Sequence, residues 1–237
     1  MLYFACDRQF SRQWAAIVGS VFAFILLCAA PSTPAQNAAT AAEVAQGVET
    51  RYQKLRTMQV TFLEKYSQGK NVRIESGTAY FSRPGRMRWE YEAPEEKLFL
   101  VDGSHAWFYV PADRTATRAK VKESDDWHTP LALLAGKLRR GLFARMCERL
   151  ETLPARTGHA LRCVAKKEKA AFREMRLETD AAFRLTRILI REPGDVETEF
   201  RFADWRENVP LMEVLFHFSP PKGVAIVDEQ SIAGPGR

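Results

Sequence analysis

The side chains best suited to catalysis or metal binding are scattered along this chain. The four histidines, His105, His128, His159 and His217, stand alone. None has the His-x-x-x-His or paired Cys/His spacing that gathers metal ligands on one face. There is no Gly-x-Ser-x-Gly run to raise a nucleophile on a strand-to-helix turn, and no glycine loop to cradle a phosphate. Neighbouring carboxylates occur at Glu95-Glu96 and Asp125-Asp126, both inside polar stretches, where charged side chains are ordinarily solvated. Triads are dispersed in sequence, but nothing here demands a catalytic residue, a metal or a cofactor.

What the residues do advertise is non-covalent: apolar side chains in strict alternation. In Gly77–Tyr91, Ala79 and Phe81 alternate with Thr78, Tyr80 and Ser82. Beyond Arg83-Pro84-Gly85, Met87, Trp89 and Tyr91 alternate with Arg86, Arg88 and Glu90. A period of two places the apolar set on one face of a sheet and the charged set on the other. Pro84 cannot donate a ladder hydrogen bond and Gly85 tolerates positive φ, so the pair marks a turn or bulge. The same alternation recurs in Leu98 and Leu100, in Trp107 and Tyr109, and in Phe200 and Phe202. Together these residues suit the wall of a greasy interior in which core and ligand pocket share one space. Burial of an acyl chain there would gain about 0.8 kcal/mol per methylene.

The elements that position these residues follow from periodicity. Ala41, Val44, Ala45, Val48, Tyr52 and Leu55 fall at helical spacing and predict a first helix over 41–55. Strands are expected at 58–66 and 72–82, with Ser67–Asn71 as the turn between them, and again at 86–91. Others follow at 97–101, 105–110, 116–121, 143–151, 161–166, 172–178, 184–191, 196–204 and 214–219. Asp102-Gly103 and Pro193-Gly194-Asp195 are hairpin signals. Thr129–Gly136 has a cap candidate, proline at its first helical position and a glycine stop. This short apolar helix, with Leu131 and Leu134, must dock on something because it is marginal alone. It reads as core filler or as a lid over a cavity. The fold class expected is mainly β with α: a curved antiparallel sheet forming an open half β-barrel, covered by short helices.

The N-terminus reads as an export signal. Arg8 and Arg12 precede the apolar run Trp14–Ala30, and small residues with prolines lead to a cleavage point after Ala35. An uncleaved anchor is the rival reading, although the run is near the lower limit for spanning a bilayer. Lipid attachment at Cys28 is disfavoured by the bulky Leu27 before it. The expected organisation is a signal peptide at 1–35, one domain over 36–230, and a flexible tail at 231–237. Loss of Asp7, Arg8 and Arg12 lowers the formal charge from +6 to +5. The cations are interleaved with acids rather than clustered, so no nucleic-acid partner is expected. Export would place Cys147 and Cys163 in a disulfide-permissive compartment. They lie on two expected strands; if these pair, the cysteines are neighbours and a bridge is plausible. Two buried free thiols or a redox pair are the alternatives, and no Cys-x-x-Cys supports the last.

The runs SGTAYFSRPGRMRWEYEAP and LVDGSHAWFY, with FRFADWRENVPLMEVLFHFSPPKGVAIVDE near the C-terminus, resemble the LolA-type periplasmic lipoprotein carriers of Gram-negative bacteria. The resemblance extends from about Ala41 to Glu229. It implies a monomeric, non-catalytic chaperone that takes acylated lipoproteins from an inner-membrane ABC-type exporter to an outer-membrane acceptor. It further implies that Arg83 latches the lid helices closed. Met87 stands where the family would have a larger aromatic, 110–117 lacks the usual acidic then Gln-Val pattern, and the cysteine pair is not general. The rival expectations are a carrier of another lipid, the sensor domain of an envelope-stress regulator, and a lipid hydrolase.

Overall fold

A computed structural model describes residues 39–121, 133–136, 141, 145–149, 158–164, 172–229 and 234–235. The expected signal segment at 1–35, Leu131, His128, Asp125-Asp126 and most of the expected tail lie outside these residues. Ala38–Arg237 form one compact unit.

The chain opens with helix α1 (Ala41–Gln53). Its start is a capping box: Glu43 N–H donates to Thr40 Oγ1 at 3.2 Å, and Thr40 N–H donates back to Glu43 Oε2 at 2.7 Å. Among the described residues twelve strands follow: β1 (Thr57–Gln68), β2 (Asn71–Ser82), β3 (Arg86–Ala93), β4 (Lys97–Val101), β5 (His105–Val110), β6 (Thr115–Lys120), β7 (Cys147–Arg149), β8 (Gly158–Val164), β9 (Glu174–Asp180), β10 (Leu185–Glu192), β11 (Val196–Glu207) and β12 (Ala225–Glu229). They form one curved, unclosed sheet in the order β12-β6-β5-β4-β3-β2-β1-β11-β10-β9-β8-β7. Every pairing is antiparallel except the last: β12 lies parallel to β6. Periodicity could not give that reversal, because it depends on the path taken by 208–224.

The core sits between the sheet's inner face and α1. Val44, Ala45, Val48 and Tyr52 of the helix are fully buried against strand residues that include Val60, Phe81, Trp89, Ile188 and Phe200. Tyr52 spans the contact: its hydroxyl accepts from Leu185 N–H at 3.0 Å. Trp205 Nε1–H reaches the carbonyl of the same residue at 2.9 Å. The outer face of the β7–β11 half carries alternating charges. Arg162 joins Glu148 and Glu174, Arg187 joins Glu178 and Glu199, and Arg191 joins Glu174 and Glu197. These cross-strand pairs tie neighbouring strands on the wet side.

One expected strand is corrected. The strand foreseen at 214–219 is absent; Glu213–Phe216 form a 3-10 turn instead. Pro210 before it and Pro220-Pro221 after it cannot donate ladder hydrogen bonds, and the turn is strapped to the outer face. Arg88 Nη1–H donates to Leu215 O at 3.1 Å, Arg86 pairs with Glu213, and the Arg86 guanidinium lies over the Phe216 ring at 5.3 Å. Alternate residues of this stretch therefore do not share a face: Phe216 is buried while Val214 is 65% exposed.

Candidate functional site

The β2–β3 hairpin organises the site. Ser82 pairs with Arg86, so the turn is Arg83-Pro84-Gly85, with Gly85 at φ +76° and the Arg83-Pro84 peptide cis. From this hairpin Phe81, Met87, Trp89 and Tyr91 point to the inner face, where β1 adds Phe62 and β11 adds Phe200 and Phe202. Trp89 is the hub. Its ring lies 4.9 Å from Phe62, 5.7 Å from Phe81, 5.4 Å from Phe200 and 6.5 Å from Phe202, centroid to centroid. These are edge-on and tilted contacts, the arrangements aromatic quadrupoles favour. Leu134 completes the group from the helical turn at 133–135, fully buried.

Leu98, Leu100, Trp107 and Tyr109 do not join them. They form a separate cluster with Phe218 on the opposite face of the sheet. The inner positions of β4 and β5 belong to Phe99, Val101, Ala106 and Phe108. Both parities of Leu98-Phe99-Leu100-Val101 are apolar, so a period of two gives no phase there. Only the register Trp89↔Phe99 fixes which set faces inward.

Arg83 occupies the seam between hairpin and helices. Its backbone N–H donates to Arg56 O at 2.9 Å, and Gly85 N–H donates to Ala135 O at 2.8 Å. The half-buried guanidinium approaches Leu55 O, just past the end of α1, at 3.5 Å, and lies against Gly136. The first contact is long for a hydrogen bond, so close packing on Gly136 sets the seat as much as bonding does. Gly136 has φ +77°, and a Cβ there would overlap Arg83 Nε. Burial pulls the guanidinium pKa below its ordinary value, though an arginine remains charged.

Three contributors were not singled out from sequence. Glu49 is buried on α1 and its Oε2 accepts from Gly141 N–H at 2.7 Å, tethering that residue to the helix. Its signal was a carboxylate four residues after Ala45, on the apolar stripe. Glu64 falls in phase with Val60 and Phe62 and is 1% exposed. Tyr91 O–H donates to its Oε2 at 2.8 Å, and burial pushes its carboxyl up to about 7, with the nearby Glu75 adding to the rise. Gly136 gave no signal beyond a helix stop. At the far end of the inner face Glu75 pairs with Lys97 and, at 3.2 Å, with Arg73. Cys147 and Cys163 are opposite each other on β7 and β8 and are joined as a disulfide. Among the described residues no group of His, Cys, Asp and Glu is arranged to hold a metal, and no helix is long and apolar enough to cross a membrane.

An open antiparallel sheet with helices on its inner face and an aromatic interior defines a recognisable class. Residues 53–219 match the family described as Outer membrane lipoprotein carrier protein LolA. A protein named Outer-membrane lipoprotein carrier protein from Nitrosomonas europaea is 30% identical over 193 residues, covering 78% of this chain and 89% of its own. One of the same name from Pasteurella multocida is 25% identical over 197 residues, covering 82% and 91%. The crystal structure of an uncharacterized conserved protein from Thermus thermophilus shares the fold, with a TM-score of 0.51 at 16% identity, covering 79% of this chain and 98% of that one. The chain belongs to the LolA family.

Proposed function

We propose that the protein is a periplasmic chaperone for acylated lipoproteins. It shields their acyl chains inside the sheet and carries them from an inner-membrane ABC-type exporter to an outer-membrane acceptor. No covalent chemistry takes place in the carrier, which works as a monomer. The observation that supports this most is the seam at Arg83: a charged, half-buried guanidinium between the aromatic sheet interior and both helical segments. The names of the relatives point the same way.

In the closed form the rings around Trp89 contact one another. An acyl chain therefore enters as the helices part from the sheet, replacing ring–ring contacts with chain–ring contacts. Closing around Arg83 then favours expulsion, so cargo passes onward to a tighter acceptor. The test is a release assay with inner-membrane vesicles that hold the exporter and a labelled triacylated lipoprotein. ATP-dependent appearance of a soluble one-to-one complex is expected. Arg83→Leu should still accept cargo but retain it when acceptor is added. Absence of release, with native mass spectrometry showing a different bound lipid, would move the function to a carrier of that lipid.

A further inference from the structure

Among the described residues, two of the buried polar atoms that lack a hydrogen-bond partner belong to the aromatic cluster or its edge. Trp89 is wholly buried, yet its Nε1–H has no hydrogen-bond partner. The rings packed against it, Phe62, Phe81, Phe200 and Phe202, offer only π faces, which are weaker acceptors than a carbonyl. Glu64 Oε1 is likewise buried and unpartnered, while Oε2 is taken by Tyr91. The two orphans flank one residue. Phe62 lies 4.9 Å from the Trp89 ring and 5.1 Å from the Tyr91 ring that reaches Glu64. A buried donor left unmade costs free energy unless something else restores the bond.

The surroundings define what could restore it at Trp89. Indole N–H is a donor only, so the ligand atom must be an acceptor. The rings packed on Trp89 are all apolar, which disfavours a carboxylate or phosphate. A neutral carbonyl oxygen attached to a hydrocarbon chain meets both demands. We propose that Trp89 Nε1–H donates to an acyl carbonyl of the cargo, the ester or amide oxygen that joins the fatty chain to its head. The protein thereby distinguishes acyl from alkyl chains. This rests on the carrier reading and adds to it the chemical bond by which cargo is recognised, beyond its greasiness.

The experiment compares two probes of equal chain length. One is a synthetic S-glyceryl cysteine bearing two palmitoyl esters, and the other bears two hexadecyl ethers and so lacks the carbonyls. The exported protein should bind the ester about tenfold more tightly, the size expected for one buried hydrogen bond. Replacing Trp89 with its benzothiophene analogue keeps the shape and removes the N–H. That variant should lose the tenfold preference of ester over ether. Trp89→Phe, with far-UV circular dichroism to confirm folding, is the simpler companion. Equal binding of both probes by the unaltered protein would overturn the proposal, as would a preference that survives loss of the N–H. Binding of neither probe would defeat the carrier reading itself, and the two failures are thus told apart.

Discussion

Glu64 shows how one side chain can make the closed state depend on pH. Its ordinary carboxyl value is 4.5, and burial raises it to about 7 in the folded protein. The folded chain therefore holds this proton more tightly than the unfolded chain. That contribution to stability is complete below about pH 4.5 and is lost as pH rises through about 7. The gap corresponds to roughly 3 kcal/mol, if the other groups facing Glu64 keep their charges. These are Tyr91, Glu75, Arg73 and Lys97. Glu64→Gln, which cannot ionise, should melt at a higher temperature than the unaltered protein at pH 8 and close to it at pH 4.5. Parallel melting curves for the two proteins across that range would show that Glu64 ionises freely in the fold.

At the scale of elements, the proposed latch is the joint between the hairpin and the helical turn. Arg83, Gly85, Ala135 and Gly136 meet there, with backbone bonds from Gly85 to Ala135 and from Gly136 to Leu133. Gly136→Ala places a Cβ in the space of Arg83 Nε and forces a non-glycine residue to φ +77°. It should cost about 1–2 kcal/mol and speed hydrogen exchange at Gly85 and residue 136. It should also retain cargo in the manner expected of Arg83→Leu. A variant that expels cargo normally would mean that the seat of Arg83 is not the latch. Much of this joint was legible in advance. Pro84-Gly85 announced the turn, and the alternation on either side announced two strands. The contact of Arg83 with Gly136 was not legible, because 53 positions separate them and no local pattern encodes a distant steric fit.

For the molecule as a whole, the disulfide acts on the unfolded chain more than on the fold. Cys147 and Cys163 close a loop with a sequence separation of 16, which on the chain-entropy model is worth about 3 kcal/mol. Changing both cysteines to serine should lower the melting temperature by roughly 6–12 °C for a chain of this length. An unchanged melting temperature would mean that the unfolded chain gains no freedom from loss of the bridge. The amino-acid sequence alone determined the class of fold, the first helix, the turn at Pro84-Gly85 and the inward set Phe81, Met87, Trp89 and Tyr91. Each is written in local periodicity or in the backbone limits of proline and glycine. Tertiary structure decided the rest. In Leu98–Val101 and Ala106–Tyr109 bulky apolar residues stand at both parities, so local alternation selects no face. Leu98, Leu100, Trp107 and Tyr109 turned outward because β4 pairs with β3 in one register and Phe218 arrives to cover them. The parallel β12 and the strap at 213–216 follow from the same cause: which strand edge or face remains uncovered is settled only when all the others have packed.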